Sequence, residues 1–323
     1  MSIELYPLVF EPILKDRIWG GTKLETDLGK TNLPTKTTGE SWELSAVEGD
    51  VSIVKEGAYK GLPLTELLEK HPQEILGTKV HEKFGVQFPL LFKFLDARED
   101  LSIQVHPNDE LARKRHNSFG KTEMWYVMQA DEGSRIIVGF KQKSSAGEYV
   151  QHLENKTLIE ILNEVETKKG DVFFLETGTI HAIGAGIVIA EIQQTSDITY
   201  RIYDWDRVDA QGKSRELHIE QALDAMNYNT TDAQKQYARE ENKSNIMVDC
   251  PYFTTAYLPL KGSTGMSKDG SSFTVYICTE GEFTVEASGE KYNFKKGDTV
   301  LVPAALKEFL LSGEATLLEI CIS

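Results

Sequence analysis

Two histidines, a glutamate and a glutamine stand in strand-like text where only apolar packing would be expected. In "LSIQVHPND", residues 101–109, Leu101, Ile103 and Val105 alternate with Ser102, Gln104 and His106. The apolar set therefore faces one side of a strand and the polar set the other, until Pro107 ends it. Glu123 stands at the start of "EMWYV", and His181 follows "ETGTI" in the turn between two strand patterns. Two imidazoles and a carboxylate are what a catalytic zinc site takes from protein, with a position left open for water or substrate. Iron and manganese accept the same set, and spacing does not choose among the metals. A lone strand histidine is more often a hydrogen-bonded core or surface residue. The acid between His106 and His181 is what lifts this pair above that reading. His71, His81, His116, His152 and His218 lie in helical or loop text and are read as structural.

A second cluster follows. In "GIVIAEIQQTSDITYRIYDWDR", Ile187, Ile189, Glu191 and Gln193 share one strand face, and Thr199, Arg201, Tyr203 and Trp205 share a face of the next. A glutamate among Ile and Val is costly unless it is paired or functional. Arg201 is its expected structural partner. In a functional role, a semi-buried Glu191 would have the raised pKa of a proton carrier, and Arg201 would suit an anion or a developing enediolate.

These residues need a scaffold of short strands. "LPLTELLEKHPQEILGTKVHEKFG", "DELARKRHN" and "ELHIEQALDAMNY" have helical rhythm, and "GEYVQHLENKTLIEILNEVETKKG" reads as one helical insert. "FPLLFKFLDA", "EMWYVMQA", "DVFFLE", "GIVIAEIQQ" and "DITYRIYDW" read as strands, and beyond Pro251 the text is nearly all strand and turn. An internal repeat joins the two regions. "TKKGDVFFLETGTIHAI" from Thr167 matches "FKKGDTVLVPAALKEFL" from Phe294, which sets His181 opposite Glu308. The expected fold is mainly β: two jelly-roll β-barrels with short helical inserts. Residues 1–250 are expected to form the catalytic domain and residues 251–323 a degenerate second barrel without metal.

Composition bounds the function. With 35 Lys and Arg against 50 Asp and Glu, the 323-residue chain has a formal net charge of −15. That excludes non-specific nucleic-acid and membrane-surface binding, and an anionic ligand would need a locally basic pocket. No apolar run has the length of a membrane span, and the N-terminal text has no signal-peptide pattern. Cys250, Cys278 and Cys321 form no CxxC pair and read as reduced residues of a cytoplasmic protein.

"PILKDRIWGG", "QVHPND", "KTEMWYV", "GTIHAI" and "SDITYR", in this order, resemble the type I mannose-6-phosphate isomerases, most closely their short bacterial branch within the zinc-dependent cupins. The resemblance covers nearly the whole chain. It implies an aldose–ketose isomerase acting on a small phosphorylated sugar, with one zinc per chain, working as a monomer or weak homo-oligomer. The zinc-binding Gln-x-His of the family matches Gln104 and His106, its Lys-x-Glu matches Lys121 and Glu123, and its second zinc histidine matches His181. The resemblance implies catalytic roles for Arg201, for Glu191 ten residues earlier, and for Lys121 as the second candidate base. Gln104 would bind metal, substrate or water. Arg207 stands where longer members carry a phosphate-binding lysine, in "IYDWDR" rather than "AGLTPK". Ile183 replaces a tyrosine, and the large helical domain of long members is mostly absent. An iron cupin oxygenase and a non-catalytic sugar-binding barrel are the rival readings.

Overall fold

The computed structural model describes residues 5–209 and 211–322. Its N-terminal part is a sandwich of two antiparallel sheets. The larger has seven strands in the order Ile13–Asp16, Thr38–Leu44, Leu90–Ala97, Ile187–Gln194, Glu123–Ala130, Val172–Leu175 and Gln234–Lys235. The smaller has five, in the order Tyr200–Tyr203, Ile103–Val105, His181–Ile183, Arg135–Phe140 and Leu162–Glu166. Neighbours in space are distant in sequence, which is the Greek-key connection pattern of a jelly roll. A third sheet holds Asn245–Asp249, Thr254–Ser267, Glu308–Cys321, Thr274–Ala287 and Glu290–Lys295, with Thr299–Val302 also pairing Thr274–Ala287.

Strand alternation sorts the side chains into layers. Leu95, Trp125, Val127, Phe173, Ile187 and Ile189 of the larger sheet meet Ile136, Val138 and Ile183 of the smaller one, and these fill the interior of the sandwich. The opposite face of the larger sheet carries Phe92, Phe94, Met124, Tyr126, Ala190 and Ile192. It packs on Leu64, Leu67 and Leu68 of the helix Leu64–Lys70 and on Val275, Ile277, Leu301 and Leu318 of the third sheet. The outer face of the smaller sheet, with Ile103 and Val105, is covered by Tyr149, Leu158 and Ala222 from three helices, Ala146–Glu154, Leu158–Ile161 and Ile219–Ala225. Interior positions at one end of the sandwich are polar instead, and they form the site described below.

The helical text of residues 62–85 becomes three helices, Leu64–Lys70, Pro72–Leu76 and Thr78–Phe84. "DELARKRH" is a helix whose N-terminus Asn108 caps, its side chain accepting from the Leu111 N–H at 2.9 Å. The expected single insert at 147–170 is half wrong. After the helices Ala146–Glu154 and Leu158–Ile161 the chain extends as Leu162–Glu166, because it completes the edge of the smaller sheet by pairing with Arg135–Phe140. Asn245–Asp249, which lies before the expected division at residue 251, pairs with Thr254–Ser267 in the third sheet.

The repeat is visible atom for atom. Gly170 (φ +87°) and Gly297 (φ +89°) sit in the same turn. Asp171 and Asp298 each accept from the backbone three residues earlier, at Lys168 and Lys295, at 2.9 and 2.8 Å. The two aspartates also give their carbonyls to Val127 and Cys278, in both cases at 2.9 Å. Beyond the turns the copies diverge. His181 is buried, whereas Glu308 is exposed and bonds Ser267.

Candidate active site

Two cross-strand rows build the site. On the smaller sheet His181 lies opposite Gln104, and Gln104 lies opposite Arg201. On the larger sheet Trp42, Lys93, Glu191 and Trp125 stand side by side on four neighbouring strands. Residues that alternate with Ile103 and Val105, or with Ala190 and Ile192, must point into the sandwich. The two rows therefore face each other across its interior.

His106, Glu123 and His181 meet there, with their candidate ligand atoms all within 4.8 Å of one another. Glu123 Oε2 is 3.5 Å from His106 Nε2 and Oε1 is 3.4 Å from His181 Nε2. His106 Nδ1 donates to the Ile198 carbonyl and His181 Nδ1 to the Thr179 carbonyl, both at 2.8 Å. A carbonyl only accepts, so each ring carries its proton on Nδ1 and turns a bare Nε2 towards the carboxylate. Burial and the nearby Lys121 push both histidines down, His181 to about 4 and His106 well below its usual value, so both are neutral at physiological pH. Glu123 is fully buried, and its Oε1 has no hydrogen-bond partner. Two nitrogen lone pairs and an unpartnered carboxylate oxygen converge in a water-poor interior. That donor set fits a divalent cation of borderline softness. His181 does not lie in the turn but opens the strand His181–Ile183, held there by pairing with both Gln104 and Val138.

Lys121 and Glu191 surround this triad. Lys121 Nζ lies 2.5 Å from Glu123 Oε2, 3.1 Å from His106 Nε2 and 3.9 Å from Glu191 Oε1. Burial opposes its charge, but Glu123 and Glu191 outweigh burial and raise its pKa, so it is a cation. Burial pushes the Glu123 carboxyl up to about 7 although Lys121 opposes it. Glu191 differs from the expectation on two counts. Its partner is Lys93 at 3.1 Å, with Trp125 Nε1 donating to its other oxygen at 2.9 Å, and not Arg201. Burial would raise its pKa, but Lys121 and Lys93 reverse that and hold it below the usual carboxylate value. It is a buried anion. Gln104 Nε2 contacts His181 Nε2 at 3.3 Å.

Arg201 lines a cleft of about 650 Å³ that also touches Gln104, Lys121 and Glu191. Its Nη1 donates to the Glu216 carbonyl at 3.0 Å, and its buried Nε has no partner. Thr199 shares its face, but Tyr203 does not. A bulge between Arg201 and Tyr203 sets Tyr203 opposite Ile103, on the outer side. Trp205 leaves the strand altogether, with φ at +59° and its Nε1 donating to the Leu101 carbonyl. Arg207 does not reach the cleft. The positive-φ pair Trp205 and Asp206 reverses the chain, and Arg207 Nη2 ends on Asp204 Oδ1 at 2.7 Å. Among the cleft residues missed in the sequence are Lys93, Arg17 and Arg215. Lys93 alternates with buried Phe92 and Phe94 and was legible as a charge on a strand. Arg17 lies inside "PILKDRIWGG", and Arg215 comes from a loop with no periodicity.

Comparison with known proteins gives a consistent answer. Residues 8–137 match the model of the phosphomannose isomerase type I catalytic domain, and residues 242–322 match that of the mannose-6-phosphate isomerase cupin domain. The mannose-6-phosphate isomerase ManA of Bacillus subtilis is 40% identical over 96% of this chain and 96% of its own. The mannose-6-phosphate isomerase of Streptococcus mutans is 39% identical over 95% and 96%. A crystal structure of the mannose 6-phosphate isomerase from Bacillus subtilis superposes with a TM-score of 0.90 at 35% identity, covering 97% of this chain and 99% of the other. His181, Glu191 and Arg201 fall between the two matched spans.

Proposed function

The chain belongs to the type I phosphomannose isomerase family, and from that premise we propose how its residues carry the reaction. It is an isomerase that interconverts mannose 6-phosphate and fructose 6-phosphate. The chemistry moves a proton between C1 and C2 of the open-chain sugar, and the barrier lies in taking a carbon-bound proton next to a carbonyl.

The observation that carries the reading is the convergence of two bare imidazole nitrogens and the unpartnered Oε1 of Glu123. His106, Glu123 and His181 would hold one zinc ion per chain. When bound, zinc supplies Lewis-acid polarisation of the sugar's carbonyl and hydroxyl oxygens. Gln104 sits against His181 and would bind substrate or complete the ligand set. Glu191 is the favoured proton carrier because it is anionic, lines the cleft, and is oriented by Lys93 and Trp125. Lys121 is charged, which suits it to orienting and neutralising developing negative charge rather than to acting as base. Arg201, one strand beyond Gln104 with an unused buried N–H, would bind the enediolate oxygens. Residues 1–250 would carry all of this, while residues 251–323 would back the larger sheet. Arg207 would act on phosphate only indirectly, through the carboxylate it shares. The test is a coupled assay on mannose 6-phosphate with and without chelator. Activity that chelator abolishes and zinc restores supports the reading, and absence of turnover by the zinc-loaded protein overturns it.

A further inference from the structure

The proposed reaction leaves one end of the substrate unaccounted for. The phosphate is at C6, the far end of the chain from the reacting carbons, and this chain carries 15 excess negative charges. A dianion enters such a protein only at a local concentration of cations. The cleft has one. Arg17, Arg201 and Arg215 all line it. Exposure rises along it, from 5% and 4% at the Lys121 and Glu191 side chains to 27% at Arg215 and 33% at Arg17. The arginines beyond Arg201 therefore stand at the outer end.

Each outer arginine is fixed along one edge by a carboxylate. Arg17 Nε and Nη2 donate to the two oxygens of Glu40 at 2.7 and 3.3 Å, and Nη1 to the Asp16 carbonyl at 3.2 Å. Arg215 Nε and Nη2 donate to the two oxygens of Asp204 at 2.7 and 2.5 Å. Asp204 is itself almost fully buried and also holds Arg207. A guanidinium has five N–H donors, so a bidentate pair on one edge leaves donors on the other. Arg17 pairs with Glu40, Arg215 shares Asp204 with Arg207, and among the described residues Arg201 makes no ion pair with a carboxylate. Burial, and after it the charges of Arg215, Arg17 and Arg207, work against the charge of Arg201 and outweigh the opposing pull of Asp204. Cations crowded in this way, with unused donors, are relieved by an anion.

We propose that Arg17 and Arg215, braced by Glu40 and Asp204, seat the phosphate of the sugar substrate, with Arg201 linking that seat to the row of Gln104 and His181. The proposal rests on the isomerase reading and assigns its phosphate end. Asp204 is a positioning residue, and Arg207 serves to keep its carboxylate charged and in place.

The experiment uses the zinc-loaded full chain. KM and kcat are measured on mannose 6-phosphate, and Ki is measured for inorganic phosphate as competitor. Arg17→Gln and Arg215→Ala should each raise KM and the phosphate Ki together by about 10-fold or more, the scale of a charge-assisted hydrogen bond, with kcat within about 3-fold. Arg215→Lys should recover only part of the loss, because an ammonium cannot hold Asp204 and an anion in one plane. KM and Ki at wild-type levels in Arg17→Gln and Arg215→Lys would overturn the seat. So would a fall in kcat with KM and Ki unmoved. Should Arg215→Ala not fold, the other two variants decide by the same readout. A wild-type enzyme inert on mannose 6-phosphate would instead overturn the isomerase reading.

Discussion

His181 and Arg201 stand on opposite sides of Gln104 in one cross-strand row. Neighbouring strands lie about 4.8 Å apart, so a single antiparallel register fixes how far the arginine sits from the metal-ligand triad. Arg201 is thus built into the same rigid surface as His181 and is not carried in by a loop. Its guanidinium donates to the Glu216 carbonyl at 3.0 Å, and its backbone bonds His218 in both directions, donating to the imidazole at 3.2 Å and accepting from the His218 N–H at 2.7 Å.

Arg201→Ala should lower kcat by at least about 10²-fold with a smaller change in KM, the scale seen when one donor to a developing oxyanion is removed. Arg201→Lys should rescue little, since the row fixes a fork and not a point charge. A steady-state comparison of the two variants checks this. A raised KM with normal kcat would move Arg201 to the phosphate end. Unfolding through loss of an ion pair with Glu191 is not expected, because Glu191 bonds Lys93 and Trp125.

Removing any one of His106, Glu123 or His181 as its alanine variant should remove about one equivalent of bound zinc and most of the activity. Gln104→Ala should weaken zinc binding by only about 10–100-fold, as changes next to metal ligands do. Metal analysis after dialysis separates the two classes. A His181→Ala protein with full metal content and rate would dissolve the triad assignment.

The triad was legible in the sequence because a strand is a period-two object. Gln104 and His106 could point only away from Ile103 and Val105, and Glu123 could only open its strand. Arg201 was legible for the same reason up to the bulge. Beyond it the pattern assigned Tyr203 to the wrong face, since one extra residue reverses every later side chain. Arg207, an expected substrate residue, lies outside the cleft and Arg215, which the sequence did not single out, lines it, for a related reason. Their positions depend on a turn at Trp205 and Asp206 in a backbone conformation that neither residue type advertises. The partner of Glu191 was missed because Lys93 reaches it through sheet pairing between segments about 100 residues apart, which local text cannot reveal.

Lys93→Met should expose what holds Glu191 in its anionic state. Lys93 Nζ lies 3.1 Å from Glu191 and over the Trp42 ring, 4.8 Å from its centre. Burial alone raises a carboxyl pKa, and Lys121 and Lys93 hold Glu191 below its usual value. Without Lys93 the pKa of Glu191 rises, so the fraction ionised at a given acidic pH falls. The acidic limb of kcat/KM should therefore move to higher pH, with the alkaline limb in place and zinc content unchanged. A variant with lower activity but an unshifted pH profile would leave Lys93 as packing only.

The repeated turn gives the last prediction. Gly170 and Gly297 both need positive φ, but their surroundings differ. A Cβ at Gly297 would come 2.3 Å from the Leu28 carbonyl oxygen, which belongs to the N-terminal part. Backbone at that distance cannot give way cheaply, and Lys30 Nζ fixes the same junction by donating to Glu43 and to the Gly297 carbonyl, both at 2.7 Å. Gly297→Ala therefore combines left-handed strain with a clash between the two parts of the chain, and about 2 kcal/mol or more should be lost. Gly29 has positive φ and nothing within 4 Å of a Cβ, so Gly29→Ala carries the strain alone, about 1 kcal/mol. Urea unfolding of the two variants measures the difference. Equal losses would mean that the third sheet does not depend on this contact to hold its place behind the larger sheet. A larger loss at Gly297, with zinc affinity unchanged, would show that this copy of the turn serves assembly of the two parts and not the metal-ligand triad.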